Sequence, residues 1–274
     1  SFKIKNISNR IGIKGNSKLF NYDIYGNFGY FKYHVNALEN SFSEIYVGGL
    51  LKYKNPSFDV VSNFEIKKSS DYRLKVDIKS KIFEASYLSA LYEPKIFERI
   101  YLGNHYSWEN NFNSSFVNNL NAKINLENRF ITFSPSINFY TIKNHIYFIG
   151  DNHLQADQII SFNQFIVDLK LKLLNNKINF DNKFTYNMSS NSARGILNFP
   201  KQTLYSKLYY NGTWFNNTIP VQLGTIISYR SEFYGDAYDP ITQNFYVQNE
   251  FMLERYLRFD LFFTMQVNNL RIFL

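Results

Sequence analysis

Polar and apolar residues alternate one for one along much of this chain. From Arg73 to Ile82, the residues Arg73, Lys75, Asp77, Lys79 and Lys81 take one set of positions and Leu74, Val76, Ile78 and Ile82 the other. Successive side chains of an extended strand point to opposite faces, so the pattern predicts one wet face and one greasy face. The same rhythm opposes Asp168, Lys170 and Lys172 to Leu169, Leu171 and Leu173, and Lys123, Asn125 and Glu127 to Ala122, Ile124 and Leu126. It sets Lys177, Asn179, Asp181 and Lys183 against Ile178, Phe180 and Phe184, and it returns between Leu257 and Val267, with Phe262 out of place among the polar positions. No comparable stretch keeps the i, i+3, i+4 spacing of an amphipathic helix.

Turn chemistry falls between these runs, at Gly15-Asn16, Asn55-Pro56-Ser57, Ser69-Ser70, Asn113-Ser114, Asn144, Asn175-Asn176, Asn216-Asn217 and Asn268-Asn269. Longer polar connections are expected near Leu38 to Phe42, Glu93 to Phe97, Ser189 to Pro200 and Gly235 to Thr242. Several predicted strands (Leu19 to Val35, Tyr72 to Leu91, Leu154 to Leu174, Ile219 to Tyr234) exceed the usual length in globular sheets. Long alternating strands with short turns are what a membrane-spanning barrel requires, because closure leaves no unpaired backbone in the hydrocarbon. The expected fold is all-β: a transmembrane, antiparallel, up-and-down β-barrel with about 14 strands visible, between roughly 12 and 16. It is read as a single domain over 1–274. Rings near the predicted strand ends form a candidate interfacial girdle. They are Phe28, Tyr30, Phe31 and Tyr33; Tyr106 and Trp108; Phe139 and Tyr140; Tyr209, Tyr210, Trp214 and Phe215; Phe233, Tyr234 and Tyr238.

Composition narrows the picture. Aromatic residues make up 19% of the 274 positions and charged residues 19%, which excludes a disordered polar chain. No run of about 18 apolar residues occurs, so a helical membrane span is excluded. Cysteine is absent, and with it disulfide frameworks, zinc ribbons and thiol nucleophiles. The net charge of +8 raises nucleic acid as a partner, but Lys and Arg are spread over nearly every strand instead of one groove, and no nucleic-acid partner is expected. An AT-rich coding sequence would also raise Lys, Asn, Ile, Phe and Tyr together, yet it cannot arrange them in alternation.

Catalysis finds little footing. His34, His105, His145 and His153 form no HExxH, and GxSxG, the P-loop and GxGxxG are all missing. No enzyme, cofactor or metal is expected; Asp151-Asn152-His153 reads as a polar loop. The charges with a candidate role are those of the wet face: Arg73, Lys75, Asp77, Lys79, Lys81, Asp168, Lys170 and Lys172. Around a water-filled lumen a positive excess would favour anions. Pairing with Asp77 and Asp168 would instead leave them as simple solvation.

The second half of the chain carries a resemblance. Leu197-Asn198-Phe199-Pro200, the strand Leu204 to Phe215, Val221-Gln222-Leu223-Gly224, Tyr229, Tyr238-Asp239-Pro240 and Phe245-Tyr246-Val247-Gln248 follow one another, with Arg271-Ile272-Phe273 at the end. This succession resembles the C-terminal part of the putative porin family of Bacteroidota outer membranes, most specifically over 197–248. Tyr92-Glu93-Pro94 with the segment His105 to Asn110 fits more loosely. The resemblance implies an outer-membrane barrel of porin type without cofactor or catalytic residues. It also implies that the sequence is a C-terminal portion of a longer chain and part of a larger ring.

Three functions are compatible with these residues. The first is passive diffusion of small hydrophilic solutes through a Gram-negative outer membrane, with anions favoured. The second is a non-conducting barrel subunit of a larger surface or secretion complex, in contact with other outer-membrane or periplasmic proteins. An inward-folded Ser189 to Pro200 or Gly235 to Thr242 connection would favour it. The third, a soluble β-sandwich, would show shorter strands.

Overall fold

Asparagine closes the tight turns. Asn175 and Asn176 (φ 57° and 67°), Asn216 (53°) and Asn268 (53°) adopt the left-handed conformation that Asn tolerates better than most residues. The computed structural model describes residues 2–35, 38–69, 71–216 and 218–274, with side chains from residue 5 onward except at 33–40. Ser70 and Asn217 of two expected turns, and the rings of Tyr33 and His34, lie outside the described residues.

Fourteen strands form one antiparallel sheet in chain order. They are β1 (Phe2–Asn16), β2 (Phe20–Val35), β3 (Leu38–Lys54), β4 (Phe58–Lys67), β5 (Tyr72–Ser80), β6 (Phe83–Tyr92) and β7 (Ser115–Ile124). Then follow β8 (Ile131–Lys143), β9 (Ile160–Leu173), β10 (Ile178–Ser189), β11 (Gln202–Trp214), β12 (Ile219–Arg230), β13 (Tyr256–Val267) and β14 (Leu270–Phe273). A short strand, Leu126–Glu127, also pairs with β8. Pro135, in the middle of β8, lies where the pairing with β7 has lapsed, so its missing N–H interrupts no bond on that side. This is the up-and-down wall of a β-barrel. Among the described residues β1 and β14 each pair with one neighbour, so the wall is an open arc.

One parity runs through the whole register. Lys54, Asp59, Lys79, Glu84, Lys123 and Ser136 are successive Cα partners from β3 to β8. Thr132, Lys170, Asp181, Lys207, Ile226 and Asp260 continue the same face from β8 to β13. Tyr53, Val60, Ile78, Ala85, Ala122, Ile137, Phe165 and Tyr186 are successive partners on the other. On that apolar face Leu261 is 86% exposed and Ile11 82% exposed, tolerable in hydrocarbon and costly in water. The buried apolar side chains lie mostly elsewhere: Trp108, Phe148, Ala156, Ala193 and Val247 are all in connections.

The two rims differ. At one, strands are joined by 17–19, 55–57, 81–82, 125–130, 174–177, 215–218 and 268–269; at the other, by the short connections 36–37 and 68–71 and the long ones 93–114, 144–159, 190–201 and 231–255. Several expectations need correction. Tyr72 to Leu91 is a hairpin, with Lys81 and Ile82 as its turn, closed by the Phe83 N–H donating to Ser80 Oγ at 2.9 Å. Lys81 takes the next odd position after Lys79 and so reads as part of the wall, but the strand ends at Ser80 and the turn exchanges the parity, Lys79 facing Glu84; Lys81 stands at the rim instead of on the wall. Leu38 to Phe42 is paired strand, because beyond the membrane both faces are wet and polarity no longer marks a loop. The girdle divides as well. Phe28, Tyr30, Phe139, Tyr210 and Trp214 stand on the apolar face, Phe31, Tyr140 and Tyr209 on the polar face, and Trp108 is buried in a connection.

Candidate functional site

The polar face divides into two chemically different stretches. Across β1 to β6 its charges are largely paired. Asp23 accepts ion pairs from Arg10 (3.5 Å) and Lys14 (3.3 Å), and the Arg10 guanidinium lies 3.3 Å from the Tyr25 ring centroid. Tyr25 reaches across β3 to donate to Glu65 Oε1 at 2.6 Å. That reach exists because Gly48 presents no side chain: a Cβ there would stand 2.6 Å from Tyr25 Cζ. Lys75 pairs with Asp77 at 2.9 Å, and Lys79 stands 3.9 Å from Glu84. At the long-loop rim Lys67 Nζ meets Glu44 (2.6 Å), Glu93 (3.5 Å) and Asp71 (3.9 Å). Burial pushes the Asp71 carboxyl above its ordinary range, against the hydrogen bond it accepts from the Glu93 N–H.

Across β7 to β10 amides replace ion pairs. Asn121 donates to Asn138, Asn138 to Gln164 at 3.0 Å, Gln164 to Asn187 at 3.0 Å, and Asn187 to the Pro200 carbonyl at 2.7 Å. Each amide satisfies its neighbour, so the chain spans four strands without a charge. Toward the tight-turn rim stand Lys123, Lys170, Lys172 and Lys183; among the described residues no carboxylate lies within ion-pair distance of any of them.

The amide chain ends on the 190–201 connection, which folds over the polar face. Phe199 packs on Phe162, centroids 4.4 Å apart, and Phe162 on Tyr140 at 5.8 Å; both partners are polar-face positions. Three further connections join it in a cap. Trp108 is 6% exposed, stacks on Tyr101 at 4.5 Å, contacts Phe148 and His153, and donates to the Phe97 carbonyl at 2.8 Å. Gln155 accepts from the Asn113 N–H (3.0 Å) and donates to its carbonyl (2.8 Å), tying 144–159 to 93–114. The Val247 N–H donates to the Phe148 carbonyl at 2.8 Å, and Asn198 donates to the Gln248 carbonyl at 3.1 Å, drawing in 231–255. Burial holds the His153 imidazole below its usual pKa, and Lys95 adds to the effect. Burial alone does the same to His145.

Of the residues singled out by sequence, Arg73, Lys75, Asp77 and Lys79 share the polar face on β5, and Asp168, Lys170 and Lys172 share it on β9. The two groups are separated by β6, β7 and β8, and Lys81 joins neither. Sequence reasoning missed the Tyr25–Glu65 contact, the amide chain and the cap. The amides had a signal, since Asn121, Gln164 and Asn187 keep the parity of charged neighbours. No group of three or more His, Asp or Glu placed to hold a metal occurs among the described residues.

A family model described as putative porin matches residues 1–274. No curated protein matches the chain. Among solved structures, the ferric enterobactin receptor PfeA of Pseudomonas aeruginosa, in a mutant complex with enterobactin, aligns with TM-score 0.67 at 10% identity, over 98% of this chain and 47% of the receptor. The siderophore receptor PirA of Acinetobacter baumannii gives 0.66 at 10% identity, over 98% of this chain and 49% of its own. The copper transporter OprC gives 0.68 at 10% identity, over 98% and 49%. The chain thus spans about half the length of these structures, and at such identity the likeness is one of fold.

Proposed function

The chain belongs to the putative porin family over residues 1–274, and on that premise we propose that it walls an outer-membrane channel passing small hydrophilic solutes by passive diffusion, anions preferred. Members of that family are outer-membrane β-barrel proteins of Gram-negative bacteria, and the fold agrees. In the proposal the polar face lines the lumen, and the free edges of β1 and β14 are paired in the membrane within a closed ring. The rim with long connections faces outward, as in outer-membrane barrels generally.

The observation that carries the anion preference is the set Lys123, Lys170, Lys172 and Lys183: Glu84, Asp181 and Asp168 are cross-strand partners of three of them, yet among the described residues no carboxylate comes within 4 Å of any of the four. The test is a reversal potential in planar bilayers under a KCl gradient, on protein purified with its native partners. Salt is kept near 0.1 M, where screening reaches only about 10 Å. Anion preference is expected, and substituting Lys123, Lys170 and Lys172 by Gln should reduce it. Cation preference, or silence from an open ring, would overturn the reading.

A second reading, a non-conducting subunit of a larger surface or secretion complex, is favoured by the inward fold of 190–201. Conductance of a Phe199→Ala, Asn187→Ala variant separates the two. If the native protein is silent and the variant conducts, the strap closes a channel; if both are silent, the subunit reading is preferred.

A further inference from the structure

The 231–255 connection runs against the charge of the chain. It carries Glu232, Asp236, Asp239, Glu250 and Glu254 against Arg255 alone, in a protein of net charge +8. Where it meets the 144–159 connection, a cavity of about 790 Å³ opens on the long-loop rim. Asp236 and Glu250 stand on its lining, and among the described residues no Lys, Arg or His stands there with them. Neither carboxylate takes part in an ion pair among the described residues. The rings of Tyr246 and Phe251, with Ile149 and Leu253, supply the apolar part of the lining.

Hydrogen bonds fix the walls of this cavity. Gln248 Oε1 accepts from the Glu250 N–H at 2.8 Å and from the Phe251 N–H at 2.7 Å. Its Nε2 donates to the Phe251 carbonyl at 2.9 Å and to the Gly235 carbonyl. One side chain thus shapes the turn that carries Glu250 and Phe251 and ties it to the segment that carries Asp236. Asp236 in turn accepts from the Asn198 amide at 3.1 Å. On the other side the Val247 N–H donates to the Phe148 carbonyl at 2.8 Å, and the Tyr246 ring meets Phe148 edge-on at 6.4 Å, so the two bounding connections are joined. Phe251 is nevertheless 67% exposed, a ring held against water that a ligand would cover. A cavity of this size, largely apolar with a few placed polar groups, has the form of a small-molecule site, and a lining already ordered loses little freedom on binding. Two carboxylates without a counter-charge, beside two aromatic rings, select the sign of the ligand: a cation is attracted by both and an anion by neither.

We propose that this cavity binds a small organic cation, an ammonium or guanidinium carried on an apolar body. Asp236 and Glu250 take the charge, and Tyr246 and Phe251 cover the body. Lys123, Lys170, Lys172 and Lys183 lie outside the lining, and the inference stands apart from the conductance reading.

The test titrates detergent-purified protein with tyramine and with tyrosol, which has a hydroxyl in place of the ammonium, followed by ligand-observed NMR at neutral pH. An exposed ion pair is worth up to about fivefold and a cation–π contact about two- to fivefold, so tyramine should bind roughly tenfold tighter than tyrosol. An Asp236→Asn, Glu250→Gln variant should lose most of that preference and keep its affinity for tyrosol, which also shows the cavity intact. The two single variants, each expected to lose about threefold for tyramine, carry the test where the double variant does not fold. Phe251→Ala should weaken both ligands. Glu109→Gln, on the 93–114 connection and outside the lining, should change neither. Absence of binding, equal affinity for tyramine and tyrosol, a preference that survives the carboxylate variants, or the same loss in Glu109→Gln would each overturn the proposal.

Discussion

Ile166 and Val167 are adjacent, similar in size and both apolar, yet the register assigns them opposite surroundings. Val167 lies between Pro135 and Phe184 on the apolar face, and Ile166 between Ser136 and Thr185 on the polar face. Both sit near the middle of β9. Val167→Arg therefore places a guanidinium near the bilayer midplane, at a penalty of about 2–4 kcal/mol. Ile166→Arg places the same group among hydroxyls and amides, where the effect should stay within about 1 kcal/mol. The assay is equilibrium guanidinium unfolding in short-chain phosphatidylcholine vesicles, followed by the fluorescence of the two tryptophans, Trp108 and Trp214. Val167→Leu controls for the loss of a β-branched residue and should be nearly neutral. Equal losses for the two arginine variants, or a larger loss at Ile166, would refute the face assignment and the lumen with it.

Three other outcomes follow from particular contacts. Gly48→Val should break the Tyr25–Glu65 bond by displacing a ring tip, at about 1–2 kcal/mol; a double-mutant cycle with Tyr25→Ala should be strongly non-additive, and additive values would count against it. At Gly224 an added Cβ would collide with the Leu208 carbonyl, which belongs to backbone and cannot swing away, so Gly224→Ala should lose more, about 3 kcal/mol. In the cap, burial lowers the pKa of His153 from 6.5, so the unfolded loop takes up a proton more readily than the folded one. The stability of the cap should be full above about pH 7 and fall as the pH drops through 6.5 toward the lowered value. Hydrogen exchange over 144–159 between pH 8 and 5 reads this. His153→Phe should flatten the slope in part and the His145→Phe double variant further, whereas an unchanged slope in the double variant would exclude both residues as its source.

How much of this was legible depended on what lay beside each strand. On the wall, lipid and water impose opposite demands on successive residues, so Leu74, Val76 and Ile78 against Arg73, Lys75 and Asp77 reveal the face directly. The same periodicity hid Lys81, because it falls on the next odd position after Lys79 although the strand has ended at Ser80. Outside the membrane the contrast vanishes: Glu39-Asn40-Ser41 looks like a loop and is strand, and Trp108 looks like a girdle ring and is the centre of a loop core. The amide chain from Asn121 to Pro200 depends on four strands and a returning connection, and only the register brings those residues together.

The distribution of burial has a mechanical consequence. A membrane wall needs no packed apolar interior, since lipid covers one face and water wets the other, and the buried wall residues are accordingly mostly polar: Ser89, Asn119, Ser134, Asn138, Asn179 and Ser206 among them. The packed apolar interior is mostly in the connections, around Trp108, Phe148 and His153 and around Ala156 and Ala193, which pack on Ile160 at the end of β9. Connections with their own core and mutual hydrogen bonds do not sway independently; they resist displacement as one body. The strap 190–201 is held at both levels, by Phe199 on Phe162 against the wall and by Asn198 bonding to the Gln248 carbonyl in the cap. Loosening the wall contact alone should therefore leave the strap tethered from above, and the single variants Phe199→Ala and Asn198→Ala should each raise conductance less than the two combined.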